Sequence, residues 1–191
     1  MNKIQTASRY LILILNFMLV IVPVFLLIQW FLYSQNNMRG LDSVNCILSF
    51  ARGINTPEGY VLLQSVNWSP TSLLIGFLAD AIGLILFMIS LILLRKIFRT
   101  YSKSEIFSQH NAALYKKLGW LFLIDAFLAH PLSESLMILA TTLNNQSGHR
   151  YLSLSFGTPN LEQIFYGTIV IIISWIMQEA SKINDDQKLT I

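Results

Sequence analysis

The sequence predicts an all-α integral membrane protein built as a bundle of four transmembrane helices. Of its 191 residues, 54% are hydrophobic and only 12% are charged, whereas soluble domains are about 45–50% apolar and about 25% charged. Four apolar runs approach or reach the roughly 20 residues needed to cross about 30 Å of hydrocarbon. The basic residues are concentrated between the second and third runs, which sets the expected orientation. We therefore expect a single membrane domain over residues 1–191.

The first two apolar runs have well-marked ends. The first, about residues 10–33, is too long for a signal-peptide core and is followed by no A-x-A-like cleavage site, so we interpret it as an uncleaved helix. Trp30 and Tyr33 at its end suit the outer aromatic belt. The second run, about residues 71–94, follows Pro70, a favourable residue at a helix start.

The third run, about residues 118–143, is interrupted by Asp125, His130 and Glu134. A charge at the bilayer centre costs about 2.5–3.5 kcal/mol on insertion scales. This helix is therefore expected to insert with its polar groups against other helices. Pro131 removes a backbone donor, and in an α-helix this leaves the Phe127 carbonyl available to another group.

The distribution of basic residues predicts the topology. Ten of the 13 lie before the first run, within the loop 95–117, or after the fourth run at about residues 161–177. The positive-inside rule therefore places both termini and the 95–117 loop in the cytoplasm. The loops 34–70 and 144–160 are then outside.

Four ionisable residues form a candidate intramembrane polar seam: Asp80 on the second span, and Asp125, His130 and Glu134 on the third. On an ideal helix His130 and Glu134 are i,i+4 neighbours while Asp125 points to the opposite side, so these three cannot form one catalytic or metal cluster. Asp80 is a candidate partner for Asp125. Interhelical hydrogen bonding is the favoured interpretation, and a proton or cation pathway through the four residues is the alternative.

The sequence gives no sign of catalytic chemistry. Its one cysteine, Cys46, excludes an intramolecular disulfide, and the three histidines lie in different segments. No HExxH, CxxC, GxSxG or P-loop pattern occurs. Two spanning aspartates would suit an intramembrane aspartyl protease, but neither lies in a Gly-x-Gly-Asp context. We predict no catalytic residues, no metal site, no cofactor and no enzymatic activity.

The first outer loop is the longest and predicts a small extracytoplasmic cap. Its turn signals include Thr-Pro-Glu-Gly at 56–59, and residues 59–63 are suited to a short strand or an interfacial segment. The sequence does not decide whether this cap senses a ligand. The second outer loop is polar.

The 95–117 loop is the most patterned part of the chain. The second helix is expected to continue to Tyr101 and to break at residues 102–104, and Ser108 is a good N-cap for a helix that begins at Gln109. This loop could rest on anionic headgroups or bind a cytoplasmic protein. Its candidate partner-binding residues are Arg95, Lys96, Arg99, Lys103, Phe107, Lys116 and Lys117.

The same segment resembles the DUF2975 family of small bacterial membrane proteins. The resemblance is carried by LRKIF at 94–98, Tyr101, SEIFS at 104–108, Asn111 and the Leu-Gly at 118–119. The ending KLTI at 188–191 is similar to the family's ELTI-like terminus, with Lys188 where an acid is more usual.

The resemblance implies a four-helix protein of the bacterial inner membrane, with no family catalytic residues to transfer. Family members are often encoded beside a small helix-turn-helix regulator, which implies a non-catalytic membrane partner or sensor that binds such a regulator through the 95–117 loop or the tail 178–191. The lipid bilayer is the other expected partner, and no direct nucleic-acid binding is expected. A small transporter or proton- or cation-conducting protein is the alternative, and the sequence leaves the oligomeric state open.

Overall fold

The structure, a computed structural model, describes residues 3–35, 52–145 and 149–189. It is 79% helical and has four helices long and apolar enough to cross a membrane, which confirms the predicted fold class. Much of the predicted outer cap (residues 36–51, with Cys46), residues 146–148 of the second outer loop and the last two residues of the KLTI ending lie outside the described residues.

The described residues form five α-helices and one small hairpin. In chain order the elements are α1 (Lys3–Gln35), β1 (Gly53–Thr56), β2 (Gly59–Leu62), a 3₁₀ turn (Leu63–Ser65), α2 (Pro70–Tyr101), α3 (Gln109–Ile124), a π-helical turn (Asp125–Ala129), α4 (His130–Thr142) and α5 (Thr158–Leu189). The π turn joins α3 and α4 into one continuous helix, Gln109–Thr142.

The helices extend beyond the apolar runs that predicted them. Helix α1 has 33 residues, which at 1.5 Å per residue is about 50 Å, well over the hydrocarbon thickness. Helix α5 continues to Leu189, so the described part of the tail is helical rather than frayed. The helices are longer than the runs because hydropathy detects only the apolar part of a helix, whereas the backbone hydrogen bonds of a helix can continue through polar residues.

The predicted helix boundaries around the 95–117 loop are confirmed. Helix α2 begins at Pro70 and ends at Tyr101. The Ser108 side chain accepts a hydrogen bond from the Asn111 amide at 3.2 Å and caps α3. Between the helices Ser104 adopts the left-handed conformation, with φ of 66°, and its amide donates to the Tyr101 carbonyl.

The chain divides into two compact units. The loop unit comprises Met1–Ile21, Ile85–Phe127 and Gly157–Ile191, and the hairpin unit comprises Val22–Leu84 and Leu128–Phe156.

The hairpin unit has an aromatic core. The Trp30 ring meets Tyr33, Trp68 and Phe77 edge to face, with centroids 5.2 to 6.4 Å apart. Trp30 and Tyr33, which were expected in an exposed aromatic belt, are only 4% and 3% exposed. Both rings are buried because Trp68, from beyond the hairpin, packs on them.

The β-hairpin of this unit is antiparallel, with Gly53 opposite Leu62 and Thr56 opposite Gly59. Of the two alternatives for residues 59–63, a short strand or an interfacial segment, the structure has the strand, over Gly59–Leu62. Gly59 has φ of +126°, a conformation that favours glycine, and it closes the turn that places Glu58 at the hairpin tip.

The loop unit is held by close packing of α3 against α5. A Cβ added to Gly119 would lie 2.9 Å from the Gly167 carbonyl oxygen and 2.6 Å from Ile171 Cγ1. Ser174 adds a polar tie, donating to the Ala112 carbonyl at 2.8 Å. Small residues that allow backbones to approach are the usual means of helix association in membranes.

The π turn adds a second carbonyl to consider beside Pro131 in the third span. Sequence reasoning left the Phe127 carbonyl without a donor, because an α-helix pairs it with the amide of Pro131. The π register pairs residue i with i+5, and five residues before Pro131 is Ala126. The Ala126 carbonyl accepts a hydrogen bond from Asn160 Nδ2 at 2.7 Å, and Asn160 is 1% exposed. A buried amide therefore replaces the backbone donor that proline lacks.

Candidate functional site

The structure brings two of the four predicted seam residues together. His130 Nε2 and Glu134 Oε1 lie 3.4 Å apart one helical turn from each other, as predicted. Asp80 is connected to them through Arg52, which lines the same cavity as His130 and Glu134. Asp125 belongs to the loop unit, where it is half-buried and opens the π turn.

Asp80 is a buried carboxylate with both oxygens occupied. Oδ1 lies 2.7 Å from Arg52 Nη1, and Oδ2 accepts a hydrogen bond from Trp30 Nε1 at 3.0 Å. The Asp80 side chain is 5% exposed and that of Arg52 is 48% exposed. A buried charge requires such partners, so this carboxylate ties the hairpin to α1 and α2 within the hairpin unit.

Sequence reasoning missed both partners of Asp80. Arg52 and Trp30 were assigned to an outer loop and to the aromatic belt, and each is far from Asp80 along the chain. One signal was available: Arg52 is the closest in sequence to Asp80 of the three basic residues on the predicted outer side. When a membrane span contains an acidic residue and no basic residue near it, a basic residue from a loop is the expected partner.

A cavity of about 220 Å³ opens beside this ion pair. Glu134 Oε2 accepts a hydrogen bond from Ser155 Oγ at 2.5 Å. The Nε2 atom of His130 is buried and, among the described residues, makes no hydrogen bond, since its approach to Glu134 Oε1 lacks hydrogen-bonding geometry. The residues lining the cavity are Arg52, Gly53, Ile54, Leu63, His130, Ser133, Glu134 and Met137.

A second polar tie holds the hairpin tip. Glu58 Oε1 lies 2.5 Å from His149 Nδ1 and accepts a hydrogen bond from the Tyr151 hydroxyl at 2.9 Å. The hydrogen bond with His149, and after it the one from Tyr151, lowers the pKa of Glu58 below its usual value of 4.5. The hydrogen bond to Glu58 in turn raises the pKa of Tyr151. These groups are exposed, so the tie is accessible to solvent.

In the loop unit, the connection between α2 and α3 borders a wider cleft of about 610 Å³. One wall is the connection itself and the other is the polar end of α5. We call this space the loop cleft. Its lining residues are Ser104, Glu105, Ile106, Phe107, Ser108, Gln109, His110, Ser181, Asn184 and Asp185.

A single buried amide braces the loop cleft. Asn111 is completely buried. Its Oδ1 accepts from the Thr100 hydroxyl at 2.6 Å, and its Nδ2 donates to the carbonyls of Glu105 and Ile106 at 2.8 and 2.9 Å. Asn111 thereby ties the end of α2, the connection and the start of α3 together.

All the residues predicted to form the partner-binding loop are exposed. They lie on α2, in the connection or on α3, and Phe107 alone of them lines the loop cleft. These residues are Arg95, Lys96, Arg99, Lys103, Phe107, Lys116 and Lys117. In the part of the chain that the structure describes, no group of three or more His, Cys, Asp or Glu residues could hold a metal ion.

Four long apolar helices with exposed hydrophobic side chains define a multi-span helical membrane protein. In the most apolar window of α1 only 6% of residues are buried by the rest of the protein, as is typical of a helix that faces lipid. The chain belongs to the family described as "Protein of unknown function (DUF2975)", which matches residues 1–191. No curated protein and no solved structure matches the chain.

The residues that carried the family resemblance have clear structural roles. Ile97 is completely buried in the core of the loop unit, and the Tyr101 hydroxyl lies 2.9 Å from that of Tyr115. Asn111 braces the connection, and Gly119 allows the close approach of α5. Of the residues that carry the resemblance, those at 104–108 line the loop cleft, and Asn111 braces the connection beside it.

Proposed function

We propose that this chain is a non-catalytic protein of the bacterial inner membrane, with both termini in the cytoplasm, that binds a cytoplasmic regulatory protein at the loop cleft. The observation that carries the proposal is the braced loop itself. A buried asparagine holds a seven-residue connection in one conformation beside a cleft, and the connection presents an exposed aromatic residue, Phe107.

A braced loop favours a protein partner over simple contact with lipid headgroups. Headgroup binding needs only basic charge near the surface and no fixed backbone. Protein binding gains from a pre-organised surface, because less conformational entropy is lost on association. Phe107 is 51% exposed, and exposed aromatic residues are typical anchors of protein interfaces.

The charge of the loop cleft favours a basic partner segment. Glu105 lines the cleft on the side of the connection, and among the lining side chains that the structure describes there is no lysine or arginine. Helix-turn-helix regulators, which the family resemblance suggests, carry basic surfaces for the DNA backbone. A basic segment of such a regulator would complement the exposed Glu105 carboxylate.

The test is binding of a small DNA-binding protein encoded beside this gene to the full-length chain in lipid nanodiscs. We expect Phe107→Ala and Glu105→Lys each to weaken binding by about 10-fold or more, as for anchor residues of an interface. Phe156→Ala is the matched control, because Phe156 is also exposed but belongs to the hairpin unit. Failure of the unmodified protein to bind, or equal binding by all three variants, would contradict the proposal.

A small transporter or proton- or cation-conducting protein that uses Asp80, Asp125, His130 and Glu134 is the second candidate. The π turn that precedes His130 favours it, because such turns are frequent at functional sites. The Arg52–Asp80 pair weighs against it, since a carboxylate with both oxygens occupied is poorly placed to pass on a proton. This alternative expects Asp125→Asn or Glu134→Gln to abolish a pH-dependent flux in proteoliposomes without lowering expression. A loss of expression alone would mark the charges as structural.

A further inference from the structure

The cavity of the hairpin unit presents two opposite charges, each with hydrogen-bonding capacity that the described residues do not use. Arg52 has five N–H donors, and its side chain is engaged by Asp80 through Nη1. The Oε2 atom of Glu134 is occupied by Ser155, whereas Oε1 accepts no hydrogen bond from the described residues. Both side chains line the same space.

His130 lies beside this acceptor on the same wall. Its Nε2 is 3.4 Å from Glu134 Oε1 but is buried, so a ligand in the cavity does not reach it. Glu134 Oε1 is therefore the acceptor that the cavity offers to a cationic group.

The rest of the cavity limits the size and polarity of a ligand. Ile54, Leu63 and Met137 give it an apolar side. Its volume of about 220 Å³ is below the range of about 300–1,000 Å³ that holds drug-sized molecules. Only a small molecule with a short apolar part fits.

We propose that this cavity binds a small zwitterion of the α-amino acid class. The ligand carboxylate accepts hydrogen bonds from the guanidinium donors of Arg52 that Asp80 leaves open. The ammonium donates to Glu134 Oε1, and a short apolar side chain packs against the side formed by Ile54, Leu63 and Met137.

The two charges together select a zwitterion over singly charged ligands. A simple amine would leave the open guanidinium donors of Arg52 without a partner from the ligand, and a simple carboxylate would do the same to Glu134 Oε1. Each would therefore bind more weakly than a ligand that pairs with both. A zwitterion satisfies both sites and adds no net charge to the cavity. The proposal does not rest on the binding of a regulator at the loop cleft.

The test is calorimetric titration of the purified full-length protein in nanodiscs, without any regulator. The probes are glycine, L-alanine, L-valine and L-leucine. Isobutylamine and 3-methylbutanoate, which are valine without its carboxylate and without its amino group, are the matched analogues. We expect valine to be among the amino acids that bind, and its amine and acid analogues to bind about 10- to 100-fold more weakly, as expected for loss of a charge-assisted hydrogen bond.

Two conservative variants connect binding to the cavity. Glu134→Gln keeps the shape and a partner for Ser155, and Arg52→Lys keeps a cation beside Asp80; both are expected to weaken amino acid binding by about 10-fold or more. Glu58→Gln is the control, because Glu58 is an exposed acid of the same unit that does not line the cavity. Unchanged binding in both cavity variants overturns the proposal, as does equal affinity for isobutylamine or no binding of any amino acid probe. Because no regulator is present, failure here leaves the proposed docking function standing, and failure of docking leaves this site standing.

Discussion

The hairpin unit and the loop unit use polar residues in different ways. In the loop unit, Asn111, Asn160 and Ser174 are buried and donate hydrogen bonds to backbone carbonyls. In the hairpin unit, Arg52 and Glu134 are each held by one partner but keep other atoms open at a cavity. Polar side chains that satisfy backbone carbonyls stabilise the fold, whereas charged side chains with open atoms can recognise a ligand.

The cores of the two units also differ in how they are packed. The hairpin unit is filled by large rings, with Trp30 both packed against other aromatics and bonded to Asp80. The loop unit relies on the absence of side chains at Gly119 and Gly167. We therefore expect the hairpin unit to be sensitive to loss of a charge and the loop unit to be sensitive to added volume.

The largest effect is expected from Arg52→Ala. This change leaves the Asp80 carboxylate buried without its cation, and should lower the free energy of unfolding by about 2–3 kcal/mol. Breaking a fully buried ion pair costs about 3–5 kcal/mol. We expect a smaller loss here because the Arg52 side chain is half exposed, so solvent screens the pair. The free energy of unfolding can be measured by denaturation in mixed detergent micelles. Arg52→Lys should retain most of the stability, and an equal loss in both variants would contradict a role for charge.

Added volume at the α3–α5 contact comes next. Gly119→Val should destabilise the protein by about 1–3 kcal/mol, because even a Cβ would lie 2.9 Å from the Gly167 backbone oxygen. Gly83→Ala is the matched control, since a Cβ there meets nothing within 4 Å. The same unfolding assay should find it neutral or slightly stabilising. If the two glycines tolerate substitution equally, close packing does not hold the loop unit together.

Removal of the brace should loosen the loop cleft with a smaller global effect. Asn111→Ala deletes hydrogen bonds to Thr100, Glu105 and Ile106 and should cost about 1–2 kcal/mol. Hydrogen exchange of residues 102–108 should accelerate by more than that of the hairpin. Unchanged exchange in this segment would show that the loop keeps its conformation without Asn111.

The smallest effect is the pH dependence of the hairpin tip. The pKa of Glu58 is lowered in the folded state, so the stabilisation from its ionised form is present above its unfolded value of about 4.5 and is lost as the pH falls through the folded value. The difference in melting temperature between the unmodified protein and Glu58→Gln should shrink below about pH 4.5. A difference that persists unchanged at pH 3 would contradict the tie to His149 and Tyr151.

The local features of this fold could be predicted from sequence because they depend on neighbouring residues. Apolar runs predicted the four helices, and Pro70 and Ser108 predicted two helix starts, since proline geometry and N-capping act within a few residues. The helical neighbours His130 and Glu134 were predicted for the same reason.

The remaining features depend on contacts between distant segments. The Asp80–Arg52 and Asp80–Trp30 pairs join residues 28 and 50 positions apart, and periodicity carries no information on such pairing. The hydrogen bond from Asn160 to the Ala126 carbonyl beside the π turn joins residues 34 positions apart. The cavity of the hairpin unit could not be predicted either, because it combines the hairpin with α4.

The most direct test of the contrast between the units is a double-mutant cycle of Arg52→Ala and Asp80→Asn, measured as free energies of unfolding in the same micelles. If the buried charge of Asp80 is held by Arg52, the two changes are strongly non-additive, with a coupling free energy of about 1–3 kcal/mol, and the double variant is more stable than Arg52→Ala alone. Additivity within about 0.5 kcal/mol would contradict an ion pair at the centre of the hairpin unit.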